Sequence, residues 1–314
     1  MTMRAILLAL ACIAPRIASS QDVNVPLPVD TIEHRLREGK FRIVAQEGSR
    51  AEGDRTQHAL LSFGPSAVMD VKWGNAPRGG EAFNNQPRYE VAAYALQKLF
   101  LDERDYVVPP TILRMIGPGD SANVPNATPT FDDAPSTLVT LQFWTSGVTS
   151  TNVFDEQRVR HDTAYARHLG NANILTYLIK HGDANKGNVL VSEDSTNPRV
   201  FAVDNGVSFA SQPSNRGNEW SRLRVKSVPR ATIERLRQIT ADELGAALGV
   251  LAQFELRNGE YVAVPVGANI SRDRGVRRKA TTVQLGLTAR EISGVRERLD
   301  RLLRDVDNGK LATF

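Results

Sequence analysis

The chain has 314 residues, enough to bury one large two-lobed core or two small domains. Its apolar share of 41% and charged share of 24% are those of an ordinary globular protein. A formal charge of +4 suits anionic substrates, but the arginines are dispersed and form no basic–aromatic stripe, which argues against nucleic acid; one cysteine and five histidines exclude a Cys/His zinc site.

Arg4 precedes a short apolar run, Ala5 to Ala14, and Ala18-Ser19-Ser20 supplies small residues before Gln21. The run is too short to cross a membrane and fits a secretory signal, so residues 1–20 are expected to be removed and the mature protein exported, periplasmic or secreted. Cleavage after Ser20 would take Cys12 with it and leave no disulfide. Lipoprotein anchoring at Cys12 and an organellar transit peptide are weaker readings. Residues 21–30 read as an extended, proline-containing leader. Phe41 to Val44, His58 to Phe63 and Ala67 to Trp73 read as three strands joined by Gly-rich turns. A helix follows around Arg88-Tyr89-Glu90-Val91-Ala92-Ala93-Tyr94. The Gly/Pro/Asp/Asn/Ser-rich stretch 116–135 predicts an exposed loop insertion, and Thr137 to Trp144 a strand. Apolar residues at mostly helical spacing predict a helix over Val159 to Lys180. The C-terminal third is expected to be helical, with capping boxes Thr240-x-x-Glu243 and Thr288-x-x-Glu291. The basic cluster Arg272, Arg274, Arg277, Arg278, Lys279 reads first as a solvated loop and second as a substrate-facing patch.

The chemistry concentrates in His181-Gly182-Asp183-Ala184-Asn185-Lys186-Gly187-Asn188 and in Val203-Asp204-Asn205-Gly206. Between them Val189-Leu190-Val191 and Val200-Phe201-Ala202-Val203 predict a strand hairpin, with Asn188 at one base and Asp204 at the other. Hard oxygen donors at those two positions suit Mg²⁺ or Mn²⁺. Kinase-fold enzymes orient the attacking hydroxyl with an Asp five residues before such an Asn, and ligate metal with the second Asp.

The His-Gly-Asp-x-x-x-Gly-Asn loop resembles that of aminoglycoside phosphotransferase-like kinases. Asp-Asn-Gly, the Glu-x-Ala-Ala-Tyr helix and Val107-Val108-Pro109-Pro110 are similar to type II phosphatidylinositol 4-kinases and to secretory-pathway protein kinases related to Golgi casein kinase. The resemblance covers roughly residues 40 to 240 and implies an α+β, two-lobed kinase-like fold: a small β-rich lobe over residues 21–144, a larger, mostly helical lobe over 145–314, and ATP between them. It implies that Asp183 orients and deprotonates the acceptor, that Lys72 on the third strand reaches phosphate and is held by Glu90, and that Asn188 and Asp204 bind the metal. Glu81 competes with Glu90 as the partner of Lys72. His181 reads as a brace of the loop, with a direct acid/base role as the lesser alternative, and Lys186 as a counter-charge to the transferring phosphoryl or a plain surface lysine. Thr145-Ser146-Gly147 would be the hinge where adenine docks.

Departures from the resemblance are specific. There is no Gly-x-Gly-x-x-Gly loop; Gly48, Ser49 and Gly53 are the best nucleotide-lid candidates, with a plain hairpin loop as the alternative. No long activation segment follows Asp204. The favoured function is phosphorylation of a hydroxyl on an exported protein by a monomeric enzyme. Small-molecule or lipid phosphorylation, transfer of the nucleotide itself, and a non-catalytic pseudokinase remain as alternatives.

Overall fold

The computed structural model describes residues 22–48, 56–82, 85–118, 124, 127–185, 187–209, 217 and 219–314. The proposed signal sequence, Ser49, Gly53 and Lys186 lie outside the described residues. The leader is only partly extended: helix α1 already begins at Val29 and runs to Glu38, burying Ile32 and Leu36.

Strands β1 (Arg42–Gly48), β2 (Thr56–Ser62), β3 (Val68–Asn75), β4 (Thr111–Ile116) and β5 (Thr137–Phe143) form an antiparallel sheet ordered β1-β2-β3-β5-β4. The alternation in β3 decides which face Lys72 takes. Met69, Val71 and Trp73 point into a core shared with Ile32, Leu36 and Leu141, so Lys72 must emerge on the opposite face. Between β3 and β4 lies helix α2 (Pro87–Gln97), opened by a proline whose missing N–H costs nothing at that position. It is buried on nearly every side, as an interior helix should be.

The chain continues through β6 (Val148–Thr149), α3 (Glu156–His161) and α4 (Thr163–Leu178). The single predicted helix is broken at Asp162, whose side chain accepts the Tyr165 N–H and starts α4 afresh. Hairpin strands β7 (Val189–Ser192) and β8 (Val200–Ala202) stand where the sequence places them, and β6 pairs with β7. Then follow β9 (Ser227–Val228), α5 (Arg230–Gln238), α6 (Ala241–Gly249), β10 (Ala252–Arg257), β11 (Glu260–Val264), β12 (Val276–Lys279), β13 (Thr282–Leu285), α7 (Ala289–Asp307) and β14 (Ala312–Thr313). Both predicted capping boxes are formed, at α6 and α7.

The C-terminal third is thus helical only in part, because a four-stranded sheet ordered β11-β10-β13-β12 separates α6 from α7. Its first hairpin turns at Asn258-Gly259, both with positive φ, the combination a tight two-residue turn demands. This sheet shares a core with β4 and β5: Phe254, Tyr261, Val283 and Leu285 pack with Leu113, Met115, Phe131 and Leu138. The 116–135 stretch is therefore not an exposed loop throughout, since Val124, Thr130, Phe131 and Ala134 are buried and the Phe131 ring meets Tyr261 edge-on at 5.6 Å. The basic cluster also divides. Arg277 is buried and donates to the carbonyls of Gly249, Arg274 and Leu287, while Arg278 pairs with Asp133 at 2.5 Å.

Candidate active site

Helix α4 delivers the loop through a defined stop. Lys180 adopts φ 49°, the Lys180 N–H donates to Tyr177 O and the His181 N–H to Thr176 O, the pairing that closes a helix with a left-handed residue. The chain then turns abruptly into His181, which is fully buried. Its Nε2 donates to Val203 O at 3.2 Å, and its Nδ1 accepts the Asp183 N–H at 3.4 Å. Burial pushes the imidazole pKa below its ordinary value, so the ring is neutral at pH 7. With both nitrogens engaged, His181 ties the loop to the segment after β8 that carries Asp204.

Asp183 is half-buried and oriented by two amides. Asn185 Nδ2 donates to its Oδ1 at 2.9 Å, and Asn188 Nδ2 to its Oδ2 at 3.3 Å and its backbone O at 2.7 Å. Asn185 was not singled out in the sequence, although an Asn two residues after an Asp is a familiar turn pattern. Because Asn188 spends its N–H₂ on Asp183, its amide oxygen is turned elsewhere and accepts no hydrogen bond from the described residues. Across the hairpin the Val203 N–H donates to Asn188 O at 2.9 Å, which sets the adjacent Asp204 beside Asn188. One amide oxygen and one carboxylate, both hard donors, fit a Mg²⁺ or Mn²⁺ ion. Among the described residues no group of three or more His, Cys, Asp or Glu could hold a metal by itself.

Lys72 joins the two halves of the site. Its Nζ lies 3.0 Å from Glu90 Oε1 and 2.6 Å from Asp204 Oδ1. Burial opposes the ammonium charge, yet the two carboxylates outweigh it and hold the Lys72 pKa above the ordinary lysine value. Glu90 Oε2 also accepts the backbone N–H of Asn205 at 2.9 Å, so one carboxylate fixes both the lysine and the Asp204 turn. Asp204 itself sits at φ 60°, a conformation a non-glycine residue holds only under surrounding constraint. The following glycine is required sterically: a Cβ at Gly206 would lie 2.6 Å from Asn85 Cα, where the chain enters α2. Glu81, the competing partner for Lys72, instead approaches Arg88 Nε at 3.6 Å. Gly48 ends β1 opposite Gln57, and its strand pairing brings it to none of these groups.

Two supports escaped the sequence reading. Arg88 and Tyr89, just before Glu90, both bond Glu291 of α7: Arg88 Nη1 to Oε2 at 2.7 Å, Nη2 to Oε1 at 3.0 Å, and the Tyr89 hydroxyl to Oε1. Glu291 was legible only as a cap. After β5, the buried Asn24 donates to the carbonyls of Ser146 (2.8 Å) and Gly147 (3.1 Å), fastening the 22–27 segment to the connection that leaves the sheet. Neither contact leaves a local signature, since the partners lie 122 and 203 positions apart.

The chain matches no protein-family profile and no curated protein. Its fold resembles the solved structure of hydra Fam20 with sugar, with a TM-score of 0.54 and 12% identity over 93% of this chain and 93% of that one. At that identity the likeness concerns the fold, which is α+β and kinase-like.

Proposed function

We propose that the protein is an ATP-dependent phosphotransferase acting on a hydroxyl group. One observation supports this most: Lys72 bonds both Glu90 and Asp204, 18 and 132 positions away, while Asp183 and Asn188 are hydrogen-bonded to each other on the neighbouring loop. In this reading Asp183 orients the acceptor hydroxyl and takes its proton, and Lys72, held by Glu90, neutralises phosphate charge. Asn188 and Asp204 hold Mg²⁺ or Mn²⁺, which when bound would offset charge on the phosphates. His181 is the brace, Lys186 a counter-charge in the loop, and Gly48, Ser49 and Gly53 the lid over the nucleotide. ATP lies between a lobe of residues 21–144 and one of residues 145–314.

The favoured acceptor is a Ser or Thr hydroxyl of an exported protein, on the strength of the secretion-like leader and the resemblance to secretory-pathway kinases. A sugar hydroxyl is the second reading, favoured by the sugar in the hydra Fam20 structure. The enzyme works as an exported monomer with no nucleic-acid partner, and no described helix is long and apolar enough to cross a membrane. Asp204→Ala removes a carboxylate that is only half-buried, so the fold should survive while metal-dependent ATP binding is lost. Calorimetric titration with ATP, with and without Mg²⁺, tests this; unchanged metal-dependent affinity in the variant refutes the metal assignment.

A further inference from the structure

A cavity of 580 Å³ opens at the start of α4, far from the catalytic loop at its other end. That volume is in the range of ligand sites. Its walls come from Phe154, α3, the first turns of α4, residues 224–227 and the exposed Phe314. The floor is apolar, built by Phe154, Val159, Ala166 and Val225, and the rim carries Arg160, Arg224 and Lys226. Glu156 is the one acidic side chain in the lining, and it is already 3.7 Å from Arg160. Arg224 lies 3.2 Å from Glu219, which is 76% exposed and outside the lining; Lys226 has no ion pair among the described residues. The rim is therefore net positive. Arg224 is also flanked by aromatic rings, 4.3 Å from the Phe154 centroid and 4.8 Å from that of the buried Trp220, and of these Phe154 lines the cavity beside the cation.

The cavity is joined to the catalytic loop by a continuous strip of chain. The Gly217 N–H donates to Gly182 O at 3.0 Å, beside Asp183. Further along, the buried side chain of Asn173 on α4 bonds Arg222 O, the Arg224 N–H and the Val225 N–H at 2.7, 2.7 and 3.2 Å. Next, Gly170 lets Pro229 approach so closely that a Cβ there would lie 2.9 Å from Pro229 Cδ. Thus Gly217 and residues 219 to 229 meet α4 in antiparallel order, from the catalytic loop to the cavity. Twelve to fifteen residues of helix separate the two places, on the order of 20 Å at 1.5 Å per residue. An extended peptide needs at least about six residues to cover that distance.

We propose that this cavity docks an acidic segment bearing one aromatic side chain, the ring entering the apolar floor and the flanking carboxylates meeting Lys226, Arg160 and Arg224. That the segment belongs to the phosphoacceptor protein rests on the kinase reading above. The geometry then sets a spacing: the docking ring and the acceptor hydroxyl lie six or more residues apart in the substrate.

The test uses the full mature protein and fluorescein-labelled peptides containing Glu-Asp-Phe-Glu-Asp, joined to a Ser by a spacer of either two or ten residues. Anisotropy should show binding of both peptides, weakened at least tenfold in Arg160→Glu/Lys226→Glu, two exposed positions, and to the same extent when the peptide Phe becomes Ala. ATP affinity should be unchanged in that variant. In phosphorylation assays the double variant should raise KM for the ten-residue spacer with kcat unchanged. Binding that survives charge reversal, or indifference to the peptide Phe, overturns the proposal. Competition by N-acetylphenylalanine at the peptide's own affinity also overturns it, by making the cavity a small-molecule site. Charge- and ring-dependent binding without any phosphorylation sustains the docking site and rejects the kinase reading, so the two failures are separable.

Discussion

Helix α2 carries Arg88 and Glu90 two positions apart, a spacing that turns them to different sides of the helix, and the clusters they enter differ in kind. Glu90 joins Lys72 and Asp204 in the cleft, where carboxylates outnumber the single ammonium and the Asp204 side chain is 38% exposed. Arg88 joins Glu291 and Tyr89 behind the helix, where the guanidinium is 6% exposed and makes a two-pronged pair with the carboxylate. Burial alone would raise the Glu291 pKa, but Arg88 overcomes it and the carboxyl is held below its ordinary value. Under the proposed function the first cluster would exchange a partner on binding a cation or phosphate, while the second is closed. A partly open charge cluster is thus mounted on a helix whose other side is held by a buried ion pair, an arrangement that preserves geometry if charge partners change.

The contrast is broken most directly at the catalytic loop. If Asp183 acts on the acceptor and not on the nucleotide, as proposed, Asp183→Ala should lower kcat by about 10²–10⁴-fold while nucleotide affinity stays near wild type. Wild-type turnover in that variant would remove Asp183 from the mechanism. On the fixed side, Glu291→Ala should destabilise by about 3–5 kcal/mol, read by urea unfolding, because it strands a buried guanidinium. If α2 is positioned by this brace, Glu291→Gln, which keeps the shape and the cap, should lose less stability yet still lower kcat.

A pH series sharpens the comparison between buried and open groups. Burial first, then Arg167 and Arg199, push the His168 pKa down to about 3 from 6.5. Between those values the unfolded chain binds a proton that the native state refuses, so stability is full above pH 6.5 and falls as pH drops toward 3. The slope is about 1.4 kcal/mol per pH unit from this residue, with His181 adding in the same direction. Urea midpoints at pH 7.5 and 5.5 should show the fall, and His168→Gln should flatten it; an unaltered slope would assign the effect elsewhere. The smallest effect is expected at α6, where Thr240→Ala removes an N-cap that bonds the Glu243 N–H at 3.1 Å. About 1 kcal/mol should be lost, with activity untouched.

The sequence by itself determined what short-range physics encodes. The strand segment Ala67 to Trp73 was legible, though Lys72 was singled out in it only by resemblance; the apolar runs flanking 192–198 gave the β7–β8 hairpin with Asn188 and Asp204 at its base, and the two capping boxes marked the starts of α6 and α7. The hairpin turn at Asn258-Gly259 was also local and present, but its strand β10 buries only Phe254 well, so the period-two signal around it is weak. Tertiary structure decided everything that depended on distant partners. It paired Lys72 with Glu90 and left Glu81 near Arg88, and it made Glu291 a brace as well as a cap. It also buried Arg277 among carbonyls and fastened Asn24 to the connection after β5. Such contacts carry no periodicity, because a charge or an amide reads the same in sequence whether it meets water or a partner two hundred residues away.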